Sequence, residues 1–382
     1  MIYLDHNATT PCDPRVVEAM LPWLEERFGN PSSPHRFGAQ ARTAVESARA
    51  RIAARVGCEP DELVFCASGT EADNLALRGA TRSLAGRGRH IVTTAIEHHA
   101  VLHTCRDLER DGWRVTFLPP GRDGAVGIDA LAASLAADTV LISVMHASNE
   151  TGVVQPVREI ATLARERGIA LHVDAVQTAG KLHGRLADLG ADLVAFSAHK
   201  LYGPKGAAAL YVRRGTPLAP LITGGAHERG LRSGTENVAA IVGFAAAMEL
   251  ACAAAEADGR RIGALRDRLE REVVAAVPGT LVNGVLAPRV PNTSNMAFEG
   301  VDGESVVLGL DLAGICASTG SACSTGEPEP SHVLLAMGLA PREAQGAVRL
   351  SLGRGTTDAD IDATVRALAA TVQRLRGISS VG

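Results

Sequence analysis

Short apolar segments alternate with helical segments through the first half of the chain, and this alternation constrains the fold more than any other feature. Runs of four to six residues rich in Val, Leu, Ile and Ala are typical of buried strands. They lie at residues 63–66, 90–94, 114–118, 140–144, 170–174, 193–196 and 207–212. Helical patterns lie at 16–28, 36–56, 70–78, 100–111 and 157–167. The alternation predicts an α/β fold with a mostly parallel, mixed sheet between two layers of helices.

A second, smaller α+β unit is predicted after this sheet. Residues 236–277 are rich in Ala, Glu and Arg and predict a pair of long bridging helices. Strand patterns follow near Leu281 and at 294–298, 315–317 and 348–352, with a last helix at 358–376. We therefore expect a large domain over residues 15–255, and a small domain formed by residues 1–14 and 256–382.

The composition excludes several classes of function. The 382 residues carry a formal net charge of -4 and only 3% aromatic side chains, which disfavours a nucleic-acid-binding surface. No apolar run approaches the ~20 residues that cross a bilayer, and no leader pattern opens the chain, so we expect no membrane partner. Seven cysteines without a C-x-x-C pair suit a reducing compartment. The expected location is the cytoplasm.

Polar residues that follow the predicted strands are the candidates for a binding site, because ligands of such sheets lie beyond the carboxyl ends of the strands. They are Thr70, His98, Asn149, Asp174 and Lys200. Lys200 ends the stretch Ser197-Ala198-His199-Lys200, which lies between two apolar strands. A lysine held away from water at a fixed turn suits Schiff-base formation. The alternative is an ordinary lysine at a strand end with its ammonium in water.

Two of these strand ends allow both a ligand and a structural interpretation. In Ala67-Ser68-Gly69-Thr70-Glu71, small residues at a helix N-terminus suit an anion such as phosphate. Alternatively, Thr70 caps that helix. Asp174, followed by Gln177, suits the protonated ring nitrogen of pyridoxal phosphate, which a carboxylate pairs with in sites built around a lysine. Alternatively, Asp174 caps the next helix.

Histidine and arginine residues extend the candidate site. The imidazole of His98 could stack on an aromatic ring or move a proton. His99 and His103 stand four apart on a predicted helix, but no third ligand accompanies them, so no metal site is predicted. Arg349 lies among apolar residues of a predicted strand and suits a carboxylate, either that of a substrate or that of an internal salt bridge.

Cys323 lies on a segment of small residues, Ala317-Ser318-Thr319-Gly320-Ser321-Ala322-Cys323-Ser324-Thr325-Gly326, which has little to pack into a core. Structural cysteines are usually buried. A thiol in this setting is a candidate nucleophile, provided a cation or base raises its thiolate fraction. The alternative is an exposed loop thiol without a role. The other six cysteines lie in or beside helix and strand patterns and are predicted to be structural.

Together these residues resemble the group I cysteine desulfurases (NifS/IscS type) of the class-V aminotransferase family, which are fold-type I pyridoxal-phosphate enzymes. The resemblance covers nearly the whole chain. The motifs that match are the entry from Tyr3 to Pro11, Gly29-Asn30-Pro31-Ser32-Ser33, Glu97-His98-His99-Ala100-Val101, His172-Val173-Asp174-Ala175-Val176-Gln177, Ser197-Ala198-His199-Lys200, the glycine-rich segment 224–235, and the Cys323 segment.

The resemblance implies a role for each site residue. Lys200 would bind pyridoxal 5'-phosphate covalently and act as the base, while Asp174 would pair with the ring nitrogen. Around the ring, Gln177 would contact the ring oxygen and His98 would stack. The residues implied at the phosphate are Gly69, Thr70, Ser197 and His199, with Thr235 supplied by the second subunit of a homodimer. The substrate carboxylate would be held by Asn149 and Arg349, and Cys323 would take the sulfur.

The implied reaction converts L-cysteine to L-alanine and leaves a persulfide on Cys323. An acceptor protein, either an iron–sulfur scaffold or a thiolation carrier, would then receive the sulfur. Three alternatives remain open on the sequence: a selenocysteine lyase, an aminotransferase that has no need of Cys323, and a persulfide-relay protein that binds the cofactor but turns over poorly.

Overall fold

The structure is a computed structural model that describes residues 1–319 and 330–379. Cys323 lies outside these residues. The strands of the described chain are β1 (Ile2–Tyr3), β2 (Leu63–Cys66), β3 (His90–Thr94), β4 (Arg114–Leu118), β5 (Thr139–Met145), β6 (Ala170–Asp174), β7 (Leu193–Ser197), β8 (Ala208–Val212), β9 (Thr280–Val282), β10 (Thr293–Phe298), β11 (Ile315–Cys316) and β12 (Ala347–Ser351).

The helices of the described chain are α1 (Pro14–Glu25), α2 (Arg36–Val56), α3 (Gly69–Leu84), α4 (His99–Arg110), α5 (Ile128–Ser134), α6 (Val157–Glu166), α7 (Val238–Ala276), α8 (Gly303–Leu312), α9 (His332–Ala336), α10 (Pro341–Gln345) and α11 (Asp358–Ser379). Short 3-10 turns include Ala198–Lys200 and His227–Gly230. Sequence patterns did not predict α5, α8, α9 and α10, which have ten residues or fewer.

Seven strands form the main sheet, in the order β2-β8-β7-β6-β5-β3-β4. Strand β8 runs antiparallel to both of its neighbours, and the other adjacent strands are parallel. The predicted mixed, mostly parallel sheet is therefore confirmed. Strands β2, β3, β5, β6 and β7 all end at the same edge, so the turns that follow them meet there.

Helices cover both faces of this sheet. One apolar cluster joins the sheet to α1, α2, α6 and the first part of α7, and a second joins its other face to α3 and α4. Strands β2, β3, β5, β6 and β7 are buried at nearly every position. Continuous apolar strands are expected where helices cover both faces of a parallel sheet.

Helix α7 is one continuous helix of 39 residues, so the prediction of a helix pair over residues 236–277 is wrong. No proline interrupts it. Gly259 and Gly263 lie against Pro291, where a Cβ atom built on either glycine would be 3.7–3.9 Å from the proline ring. These are ordinary van der Waals distances, and the helix continues through both glycines.

Helix α7 also corrects the expectation about apolar runs. An 18-residue window within it has a mean hydropathy of 2.0, which is enough to span a membrane by length and composition. In the structure, 61% of that window is buried inside the protein. Its apolar side chains pack against α1, α2 and the main sheet, as those of a core helix do.

The C-terminal part of the chain forms a three-stranded antiparallel sheet in the order β12-β10-β9. Its apolar cluster includes residues of α8 and α11, the second part of α7, and Leu4 from the N-terminal segment. The N-terminal strand β1 pairs in parallel with β11. These contacts associate the first residues with the C-terminal unit, while the domain division at residues 15 and 255 stays a prediction.

Candidate active site

A cleft of about 340 Å³ lies at the carboxyl edge of the main sheet, a volume within the usual range of small-molecule sites. The turns after β2, β3, β5, β6 and β7 contribute to its wall, and β12 of the smaller sheet contributes from the other side. The residues singled out in the sequence that line the cleft are Gly69, Thr70, His98, Asn149, Asp174, Gln177, His199, Lys200 and Arg349.

Lys200 ends the 3-10 turn that follows β7, and this turn directs it into the cleft. Its ammonium donates to the main-chain oxygens of Asn7 at 2.5 Å and Ala8 at 2.6 Å. Two protein carbonyls hold the ammonium, which disfavours the alternative of a lysine solvated at a strand end. Its covalent role stays a prediction.

The N-terminus of α3 forms one end of the cleft. Ser68 caps this helix, with its hydroxyl accepting from the amide of Glu71 at 3.1 Å, so the alternative that Thr70 is the cap is wrong. Gly69 allows a close approach here: a Cβ atom at this position would lie 2.8 Å from Cγ2 of Val176. The remaining amides of this helix terminus suit an anion.

Ser197 and His199 lie beside this helix terminus. Ser197 is buried, and its Cβ is 3.8 Å from the Cβ position built on Gly69. Nδ1 of His199 is 3.2 Å from the hydroxyl of Thr9. Burial and the charge of Lys200 lower the pKa of His199 to about 4, so this imidazole is neutral near pH 7.

Thr235 lies apart from the others. It is exposed, on the glycine-rich segment that precedes α7. Nearby, Arg232 forms an ion pair with Glu71 at 2.7 Å, at the start of α3. The predicted role of Thr235 belongs to a second subunit, and it stays a prediction.

Asp174 and His98 both line the cleft. Oδ1 of Asp174 accepts from the amide of Val176 at 2.9 Å, in a turn that leads into no helix, so the alternative of a helix cap is wrong. Burial raises the pKa of Asp174 to about 6, while the Val176 amide and Lys200 oppose this rise. Burial and the charge of Lys200 lower the pKa of His98 to about 4, so its ring is neutral. His98 caps α4 by accepting from the amide of Ala100 at 3.1 Å.

Arg349 and Asn149 form the side of the cleft nearest the smaller sheet. The guanidinium of Arg349 donates to Oδ1 of Asp5 at 2.7 Å and to the main-chain oxygen of Asn149 at 3.1 Å. The internal salt bridge considered for Arg349 is therefore present. Its Nε is buried and has no hydrogen-bond partner among residues 1–319 and 330–379. An unpaired buried donor of this kind is costly unless a ligand accepts from it.

Several residues of the site were not found from the sequence. Asn7 connects the N-terminal segment to three distant parts of the chain: its side chain contacts Asn149, Lys181, and the adjacent residues Asn292 and Thr293. Nothing in the local sequence distinguishes it, because its partners lie 142–286 residues away along the chain. Lys181 had a weak signal, four residues after Gln177, whose side chain it contacts.

Buried acids near Asp174 were missed as well. Asp73 lines the cleft from α3, and its Oδ1 lies 3.4 Å from Nε2 of His172. Glu97 accepts from the Thr94 hydroxyl at 2.6 Å and the Met145 amide at 2.9 Å. Burial raises the pKa of Glu97 to about 8 and that of Asp73 far above its ordinary range. An acid among the apolar residues of α3 was the available signal for Asp73.

The histidines near the cleft form a group of rings. The ring centroids of His99 lie 4.9 Å from those of His103 and His332. His332 lies 3.1 Å from the main-chain oxygen of Glu97. Among the residues that the structure describes, no group of three or more His, Cys, Asp or Glu side chains is placed to hold a metal ion.

Comparisons with known proteins agree with this architecture. The family model described as Aminotransferase class-V matches residues 2–364. "Cysteine desulfurase IscS" of Dictyoglomus turgidum is 47% identical over 378 residues, covering 99% of this chain and 96% of that protein.

Solved structures resemble the whole chain. One described as "NIFS-LIKE PROTEIN" is 37% identical with a TM-score of 0.90, and the match covers 100% of both chains. Another, "SspA in complex with cysteine", is 35% identical with a TM-score of 0.81, covering 92% of this chain and 99% of that one. With these matches over nearly its whole length, the chain belongs to the class-V aminotransferase family.

Proposed function

We propose that this chain is a pyridoxal-phosphate-dependent cysteine desulfurase, which converts L-cysteine to L-alanine and transfers the sulfur to Cys323. The observation that supports this most is the meeting of Lys200, Asp174 and the N-terminus of α3 in one cleft. The named relative from Dictyoglomus turgidum, 47% identical over 99% of this chain, supports the choice of reaction.

The residues of the cleft fit pyridoxal phosphate. The anion site at the N-terminus of α3 suits the phosphate, with Gly69, Thr70, Ser197 and His199 around it. Lys200 is the amine for the aldehyde, and Asp174 is the acid for the ring nitrogen, whose positive charge would favour the ionised carboxylate. The neutral ring of His98 suits stacking, and Gln177 suits the ring oxygen. When bound, the cofactor supplies an electron sink for the electron pair of the substrate Cα–H bond.

Lys200 has two tasks in this proposal. Its amine would hold the aldehyde of the cofactor, and as a free amine it would accept the Cα proton of the substrate. The carbonyls of Asn7 and Ala8 fix the direction of the amine toward the cleft.

Arg349 and Asn149 hold the substrate. The unpaired Nε of Arg349 is a donor for the substrate carboxylate, and the bond to Asp5 fixes the plane of the guanidinium. A guanidinium presents its donors in a rigid fork that suits a carboxylate. This places the amino and carboxylate groups of the substrate between Lys200 and Arg349.

Cys323 accepts the sulfur. Its thiolate forms an S–S bond to the substrate sulfur as the Cβ–S bond breaks, and the electron pair of that bond stays with the carbon. Cβ takes up one proton and Cα regains the proton that Lys200 removed, so that the product is alanine. The sum of the step is L-cysteine plus a thiol giving L-alanine plus a persulfide, so no external oxidant is needed.

We infer that the protein works as a cytoplasmic homodimer in which Thr235 reaches the phosphate site of the second subunit. Its exposed position within one chain is consistent with this. The sulfur acceptor would be an iron–sulfur scaffold or a thiolation carrier. Light scattering tests the dimer, and a monomeric mass with full activity would overturn it.

The proposed reaction is tested by incubating the purified holoprotein with L-cysteine and a dithiol reductant. Alanine and sulfide are expected in equal amounts. Alanine without sulfide, or neither product, would overturn the proposal, and formation of a keto acid would favour an aminotransferase.

A further inference from the structure

Lys181 is a half-buried lysine beside the cleft, and the proposed reaction gives it no task. It follows the turn after β6, four residues beyond Gln177. Its ammonium donates to Oε1 of Gln177 at 2.8 Å and to Oδ1 of Asn7 at 3.3 Å. Burial and the neighbouring cations Lys200 and Arg349 lower the pKa of Lys181 to about 7. A positive charge held partly away from water and close to two other cations is electrostatically unfavourable. We therefore ask which role at the site this lysine serves.

The ammonium determines the direction of the Gln177 carboxamide. When protonated, the Lys181 ammonium has donors and no acceptor, so the amide oxygen of Gln177 faces it. The NH2 group of Gln177 then faces the other way, where it donates to the main-chain oxygen of Asn7 at 3.0 Å. Lys181 on one side and the Asn7 carbonyl on the other therefore select the same orientation of the amide, and Lys181 holds its oxygen end.

Asn7 is oriented by the same logic. Its Oδ1 accepts from Lys181 and, at 2.9 Å, from Nδ2 of Asn292. Its own Nδ2 donates to the hydroxyl of Thr293 at 2.8 Å. The main-chain oxygen of Asn7 accepts both from Gln177 and from Lys200. The donor end of Gln177 and the amine of Lys200 therefore converge on one carbonyl.

We propose that Lys181 is a positioning residue that fixes the donor end of the Gln177 carboxamide toward the cleft, for an anionic ring oxygen next to the aldehyde that Lys200 binds. The ligand class is an aromatic aldehyde with an ortho oxygen, and the proposal rests on the proposed function. Lys181 touches neither substrate nor cofactor; it acts through Gln177.

A double-mutant cycle separates this role from a merely structural one. The four proteins are the parent, Lys181→Met, Gln177→Ala and the double variant. The readouts are the pH dependence of the visible absorbance of the pyridoxal-phosphate-loaded proteins and the rate at which each loses the cofactor on dilution. Lys181→Met should lose cofactor about tenfold faster than the parent and should shift the pH midpoint of the visible band.

The double-mutant cycle can either support the proposal or overturn it. If Lys181 acts through Gln177, Lys181→Met has little further effect in the Gln177→Ala background. Equal effects in both backgrounds, or no effect in either, would overturn the proposal. If Lys181→Met does not fold, Lys181→Gln replaces it, because glutamine offers no fixed donor. A parent protein that shows no visible band with pyridoxal phosphate would instead overturn the proposed function.

Discussion

The main chain of Ser318 is paired with that of Arg349: the amide of Ser318 donates to the carbonyl of Arg349 at 3.2 Å, and the reverse bond is 2.6 Å. The residue proposed to hold the substrate carboxylate is thereby tied to the start of the segment that contains Cys323. Cys323 follows Ser318 by five residues, which span at most about 17 Å when extended. On the far side of the segment, Ser331 donates to Glu150, the neighbour of Asn149. The described residues on either side of the segment therefore lie near Arg349 and Asn149, the two residues proposed to hold the substrate.

Replacing Arg349 by Lys should weaken substrate binding, because lysine keeps the charge and loses the fork that contacts Asp5 and Asn149 and that is proposed to hold the substrate. We expect kcat/KM for L-cysteine to fall by about 10- to 100-fold. Steady-state kinetics measure this, with the visible absorbance of the bound cofactor as the control for an intact site. An unchanged kcat/KM would show that Arg349 serves only its salt bridge with Asp5.

Replacing Gly69 by Ala should weaken cofactor binding. The added methyl group would lie 2.8 Å from Cγ2 of Val176, so the start of α3 or the turn after β6 must shift. We expect a loss of about 1–3 kcal/mol in stability, together with weaker binding of pyridoxal phosphate to the apoprotein. Titration followed by absorbance measures the binding.

Replacing Val176 by Ala in the same chain provides the control for Gly69→Ala, since it removes the methyl groups that clash. The double variant is expected to recover most of the affinity. If it binds no better than Gly69→Ala alone, the effect does not arise from this contact.

The apoprotein should lose stability on acidification. Burial lowers the pKa of His98 to about 4 from an ordinary value near 6.5, so the unfolded chain binds a proton there before the folded chain does. The contribution of His98 is complete above pH 6.5 and is lost as the pH falls toward 4. Between pH 7 and pH 5 this single group accounts for about 2 kcal/mol. Urea unfolding at several pH values measures the loss.

His98→Gln should reduce that loss of stability by about 2 kcal/mol, because one titrating group is removed. His183→Gln, at an exposed histidine, is the matched control. Equal pH dependence in the parent and in His98→Gln would contradict the assignment of a neutral, buried His98.

Lys200→Ala should abolish covalent attachment of the cofactor and lower turnover of L-cysteine by about 10³-fold or more. Borohydride reduction followed by mass spectrometry measures the attachment. Lys205→Ala, an exposed lysine in the same turn, is the matched control and should keep both properties. Turnover by Lys200→Ala at the parental rate would show that the cofactor assignment is wrong.

Local patterns predicted the parts of the fold that depend on neighbouring residues. The bounds of β2, β3, β4 and β6 agree with those predicted, because each is a short run whose burial matches its composition. The strand-end rule then indicated which polar residues would meet. It succeeded because parallel strands end at one edge.

The contacts that no local pattern predicts are those between distant segments. Asn7 contacts side chains up to 286 residues away, and its loop has no distinctive spacing. Residues 236–277 were predicted as a helix pair, because their helical composition does not distinguish two helices from one continuous helix of 39 residues. Ser68 caps α3 in place of Thr70 because the helix begins at Gly69, within the error with which helix ends are predicted.

Sulfide release from L-cysteine by Cys323→Ser, measured with a reductant present, decides whether Cys323 takes the sulfur. We expect this variant to keep the visible absorbance of the bound cofactor and to lose sulfide release, and we expect mass spectrometry to find a persulfide on Cys323 of the parent. Undiminished sulfide release by Cys323→Ser would contradict this role of Cys323.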